Sequence, residues 1–174
     1  MKWNRNWTLV TVSLALGLLS GAIRPLLLDE AAHTELMVSL HRFAATLDTG
    51  NMGFAEILMN LLRYGRMLIL IWACAITPKV RFVALLVLYM RAMALSFSAA
   101  MMIVAFGGIG LGYAFMLYGL QNMITMPIYV YATYVILQKR PITAKLVVIS
   151  LAGIVVASII ATYIAPILFV MIRR

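Results

Sequence analysis

The sequence predicts an all-α protein: a polytopic membrane helix bundle of about five transmembrane helices plus one amphipathic interfacial helix, in a single domain over residues 1–174. Two observations predict this fold. Of the 174 residues, 65% are apolar and 11% are charged, against about 45–50% and about 25% in soluble domains, and so short a chain cannot hide that many apolar side chains from water. The apolar residues also gather into runs of roughly 20, the length that crosses a hydrocarbon core of about 30 Å.

The first predicted span covers residues 7–23. It follows a basic start and contains Ser20-Gly21-Ala22, features of a cleavable secretory signal, but we expect it to be kept as an anchor helix. Residues 25–56 contain all five acidic residues and carry apolar side chains at helical spacing. That pattern predicts an extracytoplasmic amphipathic helix in the membrane interface.

Four further apolar runs predict the remaining spans, over residues 57–77, 82–106, 113–137 and 146–172. Basic loops follow the second and the fourth span. Between the third and the fourth span, a cluster of glycines predicts an uncharged hairpin: Gly107, Gly108, Gly110 and Gly112.

The orientation follows from the loops, because lysine and arginine favour the cytoplasmic side. We expect the N-terminus to be cytoplasmic, which places these basic residues inside: Lys2, Arg5, Lys79, Arg81, Lys139, Arg140 and Lys145. Five spans then put Arg173 and Arg174 outside, against the rule. The net charge of +9 is expected to set topology and to contact anionic membrane lipid. No aromatic and basic residues interleave, so no nucleic-acid partner is expected.

Arg91 is the most informative polar position. It lies about 14 Å into the third span at about 1.5 Å per residue, where an arginine costs about 2.5–3.5 kcal/mol and needs a partner. Gln121 and Asn122 have a matching depth in the fourth span, so we predict that their amides pair with Arg91. Pro127 follows and predicts a kink or a break. This cluster is either a structural clamp or part of a path for transport or signalling.

A second polar set lies at the predicted outer end of the second span, where Glu56, Asn60 and Arg63 share one helix face and Arg66 continues its basic edge. Two explanations fit this set. The side chains anchor the helix by snorkelling to the interface, or they form a docking surface for an extracytoplasmic partner.

Small residues recur at four-residue spacing in two spans. They are Gly17 and Gly21 in the first span, and Gly153, Ala157, Ala161 and Ala165 in the fifth. Such ladders let helix backbones approach closely. We expect mainly internal packing, and the long ladder of the fifth span could also dock a second subunit in a homo-oligomer.

No pattern of catalytic chemistry is found. His33 and His41 have no cysteine companion for a metal, and Cys74 has no second cysteine, which indicates a small packing residue. Neither paired intramembrane carboxylates nor a Ser-His-Asp set is apparent. We therefore expect no enzymatic activity, no cofactor and no metal.

Several short segments, in order, resemble a known family. Gly119-Leu-Gln-Asn-Met-Ile-Thr-Met-Pro127 is similar to a Pro-Gln-Asn motif that precedes an apolar run and a proline, although Leu120 replaces the first proline. Arg42-Phe-Ala-Ala-Thr-Leu47 is similar to an Arg-Phe segment upstream. Together with Ile71-Trp72, Pro78 and Arg91, this order resembles the stage II sporulation protein M family over roughly residues 7–137.

The resemblance implies a non-enzymatic scaffold in the cell membrane of a bacterium. In spore formers, the family member gathers peptidoglycan-remodelling proteins, cell-wall hydrolases among them, at the septum during engulfment. Relatives near bacteriocin genes are thought to work with an ABC-type ATPase in export or immunity. A scaffold is expected to use the acidic segment and the Glu56–Arg63 face. A permease-like subunit is expected to use the basic loops, with Arg91, Gln121 and Pro127 lining a path.

Overall fold

The computed structural model describes residues 5–46, 53–76 and 80–173, and in these ranges the chain is helical and contains no strand. The first half consists of α1 (Arg5–Ile23), a 3-10 turn (Arg24–Leu27), α2 (Glu30–Thr46), α3 (Phe54–Ile76) and α4 (Val83–Phe106). The second half consists of α5 (Gly108–Ala114), a π turn (Phe115–Gly119), α6 (Leu120–Leu137), α7 (Ala144–Ile159), a second π turn (Ile160–Ile164) and α8 (Ala165–Arg173). Lys2, Lys79 and Arg174 lie outside the described residues.

The predicted all-α bundle is confirmed, and the protein is a membrane protein. Within the described ranges, four helices are long and apolar enough to cross a membrane: Arg5–Leu27, Phe54–Ile76, Val83–Phe106 and Ala144–Met171. The predicted fourth span is helical over residues 108–137 but is not among the four, because its amides, proline and glycines make it less apolar. A fifth crossing therefore stays a prediction.

Contacts between helices fix their directions. The Ser13 hydroxyl donates to the Leu85 carbonyl at 2.8 Å, and further along both helices Gly21 lies against Met93, so α1 and α4 run parallel. The Trp7 ring at the start of α1 stacks on Tyr134 near the end of α6, with centroids 4.3 Å apart. Helix α6 therefore runs antiparallel to α1. We call the end with Trp7 and Tyr134 the basic-loop end, and the opposite end the α2 end.

The amphipathic segment predicted over residues 25–56 is divided between two helices. Helix α2 ends at Thr46 and α3 already begins at Phe54, so Glu56 belongs to α3. Ala44 is buried in a small apolar cluster with Met102, Phe169 and others at the α2 end. The rings of His41 and Phe106 lie 4.9 Å apart there. Helix α2 thus lies against the bundle with its apolar face towards α4.

The predicted glycine hairpin is wrong in its extent. Only Gly107 stands between α4 and α5, with a φ of 64° that favours glycine. From Gly108 onward the chain is helical. At Gly110 a Cβ atom would collide with the Met102 carbonyl, so glycine there lets α5 pack directly on the end of α4. The connection is thus a single-residue turn.

Candidate functional site

A cavity of about 470 Å³ lies between the helices in the half of the bundle towards the α2 end. Its wall is formed by residues of α2, α3, α4, α6 and α8 and of both π turns. Its lining starts at Phe43 and Glu56, both exposed, and reaches Arg91 near the middle of the bundle. The two polar sets that the sequence separates, Arg91 with the amides and Glu56 with Asn60 and Arg63, therefore line the same space.

Arg91 forms the deepest polar part of the cavity. Its guanidinium donates to Oδ1 of Asn122 at 2.9 Å, and the Thr125 hydroxyl donates to the same oxygen at 3.3 Å. The guanidinium carbon also lies 5.7 Å from the centroid of the Tyr64 ring, a distance at which the ring face attracts a cation. The buried Nε of Arg91 has no hydrogen-bond partner among the described residues.

Of the two amides predicted to pair with Arg91, Asn122 does so and Gln121 does not. Asn122 accepts from Arg91, whereas the Gln121 amide donates to the Leu117 carbonyl of its own helix. The Asn122 amide likewise donates to the Tyr118 carbonyl. Both carbonyls belong to the π turn Phe115–Gly119, where the wider winding disturbs the regular hydrogen bonds. The two amides thus support an irregular stretch of backbone as well as Arg91.

Both π turns face the cavity. The first contributes Leu117 and Tyr118, and the second contributes Ala161 and Thr162. Across the cavity, the Asn60 amide donates to the Thr162 hydroxyl at 3.1 Å, and that hydroxyl donates to the Ser158 carbonyl at 2.9 Å. Single π turns are rare in helices, and those that do occur are often found at functional sites. Their coincidence at one cavity marks this half of the bundle as the candidate site.

The charge of the cavity is positive. Its charged lining residues are Glu56 near the mouth, Arg63 on the wall and Arg91 at the bottom. Arg66, predicted to continue this set, does not line the cavity. Because α3 begins at Phe54, Arg63 and Arg66 lie about 14 and about 18 Å along the helix from its first residue. They lie deeper than the outer-end position that the sequence predicts.

The cavity is closed towards the basic-loop end. There the core is made of fully buried side chains, among them Leu68, Leu88, Tyr129, Ile136 and Ile154. The Tyr129 hydroxyl donates to the Tyr64 carbonyl at 2.9 Å, which ties α6 to α3 directly below Arg91. Uncharged polar side chains, Thr133 and Ser150 among them, are also buried in this half, and the described residues bury no charged side chain there.

Pro127 does not belong to the cluster predicted for it. It is exposed and does not line the cavity. Helix α6 continues through it from Leu120 to Leu137, so the predicted break at Pro127 is wrong. The irregularity lies earlier, in the π turn Phe115–Gly119. A proline costs a helix one hydrogen bond, and an exposed position leaves room for the backbone to adjust.

The small residues lie at helix contacts within the chain. A Cβ atom on Gly17 would lie 2.5 Å from the Tyr89 carbonyl oxygen, and one on Gly21 would collide with the Met93 carbonyl, so α1 and α4 meet backbone to backbone. Gly153 faces the Ile128 side chain. Ala157 and Ala165 are buried in the bundle, and Ala161 lines the cavity. The surface that could dock a second subunit is thus occupied within one chain.

Several lining residues escape the sequence analysis. Tyr64 lies under Arg91, Thr162 bonds Asn60, and Ser98 lines the α4 wall. Thr162 directly follows Ala161 of the small-residue ladder. A polar residue at that position of an apolar span is the one sequence signal that points to it. The π turns have no such signal, because their winding depends on the partners that satisfy the backbone.

In the described part of the chain, no three His, Cys, Asp or Glu side chains are grouped to hold a metal. Cys74 is buried, and its thiol donates to the Leu70 carbonyl at 3.2 Å. No protein-family model, curated protein or solved structure matches the chain.

Proposed function

We propose that this protein is a non-enzymatic scaffold in the cell membrane of a bacterium, with a cytoplasmic N-terminus, that recruits partner proteins at its extracytoplasmic side. The resemblance of the segments Arg42–Leu47 and Gly119–Pro127 to the stage II sporulation protein M family supports this proposal. By that resemblance, the partners are peptidoglycan-remodelling proteins such as cell-wall hydrolases. The docking site is the mouth of the cavity, around Glu56 and Asn60.

One observation carries the proposal: among the described residues, exposed side chains line the polar cavity towards the α2 end, and a core of buried apolar side chains lies beyond Arg91. With the N-terminus inside, the α2 end is extracytoplasmic. A docking site needs access from one side, whereas a transport path needs access to both sides in turn. Towards the basic-loop end, Leu68, Leu88 and Ile154 are fully buried, and this close packing favours docking over transport.

The alternative is a permease-like subunit that works with an ABC-type ATPase in export of, or immunity to, a peptide bacteriocin. The intramembrane Arg91 and the two π turns favour it, because broken or irregular helices near the middle of the membrane line substrate sites in many transporters. In that case the loops around Arg81 and Lys139–Lys145 would meet the ATPase. The cavity would then be one half of an alternating path.

Affinity purification from the native host, followed by identification of the bound proteins, distinguishes the two functions. The scaffold predicts cell-wall hydrolases and no ATPase. Glu56→Lys should lower their recovery, because it reverses the charge of an exposed residue at the cavity mouth. Glu35→Lys is the matched control, since Glu35 is exposed on α2 and does not line the cavity. Stoichiometric recovery of an ATPase would overturn the scaffold in favour of the permease.

A further inference from the structure

An apolar groove adjoins the cavity on the outside of the bundle. It lies between α3 and α7 and has a volume of about 950 Å³. Half of its twelve lining residues are apolar and exposed, as expected of a surface that faces lipid: Met59, Leu62, Ile69, Leu70, Leu151 and Val155. Asn60 and Arg63 line both the groove and the cavity. The apolar groove thus continues into a polar, positively charged space.

Two arginines stand in this groove at an unusual depth. Arg63 and Arg66 are exposed and line it about 14 and about 18 Å along α3 from Phe54. Arginines this far into a transmembrane helix almost always face the protein interior or pair with another group. No acidic residue lines the groove, so the groove itself offers these two arginines no counter-ion.

We propose that the groove binds an anionic phospholipid, with its phosphate diester held by Arg63 and Arg66 and an acyl chain along Leu62, Ile69 and Val155. The planar guanidinium group binds phosphate oxygens through two parallel hydrogen bonds. Arg91 adds positive charge from the adjoining cavity. Local thinning of the bilayer and snorkelling of the long side chains bring the phosphate and the arginines to the same depth.

A phospholipid fits this surface better than a second copy of the chain. A two-fold symmetric interface brings the same patch of both copies together, which would place Arg63 and Arg66 against their own equivalents without an acidic residue between them. The lipid supplies both the apolar chain and the negative charge. The inference is independent of the proposed scaffold function, because it does not require any protein partner.

Native mass spectrometry of the full chain in detergent, titrated with phosphatidylglycerol or phosphatidylcholine, tests the proposal. The wild type should bind phosphatidylglycerol more tightly than phosphatidylcholine. Arg63→Gln and Arg66→Gln should each weaken the binding of phosphatidylglycerol by about fivefold, which corresponds to the attraction of one basic side chain for anionic lipid. The double variant should no longer distinguish the two lipids.

A second pair of variants tests the groove without changing any charge. Gly65 lines the groove, and a Cβ atom there would meet nothing within 4 Å, so Gly65→Leu fills the groove while the helix stays intact. It should reduce phosphatidylglycerol binding. Gly112→Leu is the matched control, because Gly112 also has open space around it and lies outside the groove. Arg5→Gln, an exposed arginine at the start of α1, controls for general charge.

Three results would overturn the proposal. Unchanged phosphatidylglycerol affinity in the double arginine variant would show that these arginines do not hold the lipid. Binding of glycerol 1-phosphate, which lacks acyl chains, as tightly as phosphatidylglycerol in the same titration would assign the groove to a soluble phosphate compound. A dimer in the wild type that Gly65→Leu dissociates would show that a second copy covers the groove.

Discussion

Arg91 shows how a charged side chain is accommodated in an apolar bundle. An arginine at the centre of a transmembrane helix costs about 2.5–3.5 kcal/mol when it faces lipid. Here the guanidinium faces a polar cavity, donates to Asn122 at 2.9 Å and lies over the Tyr64 ring. The Thr125 hydroxyl donates to the same Asn122 oxygen. Arg91 is therefore held by two neighbours, Asn122 of α6 and Tyr64 of α3.

The Arg91–Asn122 hydrogen bond should be visible as a coupling energy. Arg91→Ala and Asn122→Ala, measured singly and together by steric trapping in bicelles, should be non-additive by about 0.5–3 kcal/mol in the free energy of unfolding. The matched control is Gln121→Ala, because Gln121 bonds the Leu117 carbonyl rather than Arg91. Additivity of Arg91→Ala with Asn122→Ala, or an equal coupling with Gln121→Ala, would contradict this assignment.

Depth counting along two helices was enough to bring Arg91 and Asn122 together, because a helix rises by a fixed amount per residue. Rotation about the helix axis was not predicted. It directs Asn122 towards Arg91, whereas Gln121 donates its amide to its own backbone. A difference of one residue is about 100° around a helix of about 3.6 residues per turn. The sequence therefore predicts the depth at which these residues lie, but not which of the two amides points towards Arg91.

At the scale of helices, the apolar runs gave most of the boundaries. The third span was expected at 82–106 and α4 covers Val83–Phe106, because the basic loop and Gly107 both stop the apolar run. The amphipathic segment is predicted over 25–56; within it α2 covers Glu30–Thr46, and α3 already begins at Phe54. The acidic composition of that segment does not separate an interface helix from the polar first turns of α3.

The π turns could not be predicted in this way. Each contains apolar and small residues that would fit a regular helix equally well: Phe115-Met-Leu-Tyr-Gly119 and Ile160-Ala-Thr-Tyr-Ile164. At the first turn, the Gln121 and Asn122 amides bond carbonyls four residues earlier in the same helix. At the second turn, the Asn60 amide of α3 bonds the Thr162 hydroxyl. Only this second partner depends on how the helices are assembled.

The contact between α1 and α4 depends on the absence of a side chain at Gly21. A Cβ atom there would collide with the Met93 carbonyl and the Ser96 hydroxyl, so Gly21→Ala must push the two helices apart. We expect a loss of about 1–3 kcal/mol in the free energy of unfolding, as for other overpacked contacts, measured by steric trapping.

Gly65→Ala is the control for this change. Its Cβ atom would meet nothing within 4 Å, so only the helix propensity changes, which favours alanine by up to about 1 kcal/mol. If Gly21→Ala proved as stable as Gly65→Ala, the close approach of α1 and α4 would be wrong.

The whole molecule divides into two unlike halves along the bundle axis. Towards the α2 end, irregular helices enclose a polar cavity that carries two arginines and one glutamate. Towards the basic-loop end, regular helices pack around fully buried apolar side chains such as Leu68, Leu88 and Ile154. Lipid provides no hydrophobic drive for helix association, so close packing holds the lower half together.

The one-sided cavity is tested most directly by thiol accessibility. In a Cys74→Ala background, Ser98→Cys lies on the cavity wall and Ser150→Cys is buried in the lower half. A membrane-impermeant thiol reagent should label Ser98→Cys only from the extracytoplasmic side and Ser150→Cys from neither side. Labelling of Ser98→Cys from both sides, or of Ser150→Cys from the cytoplasmic side, would show a path through the membrane and contradict this account.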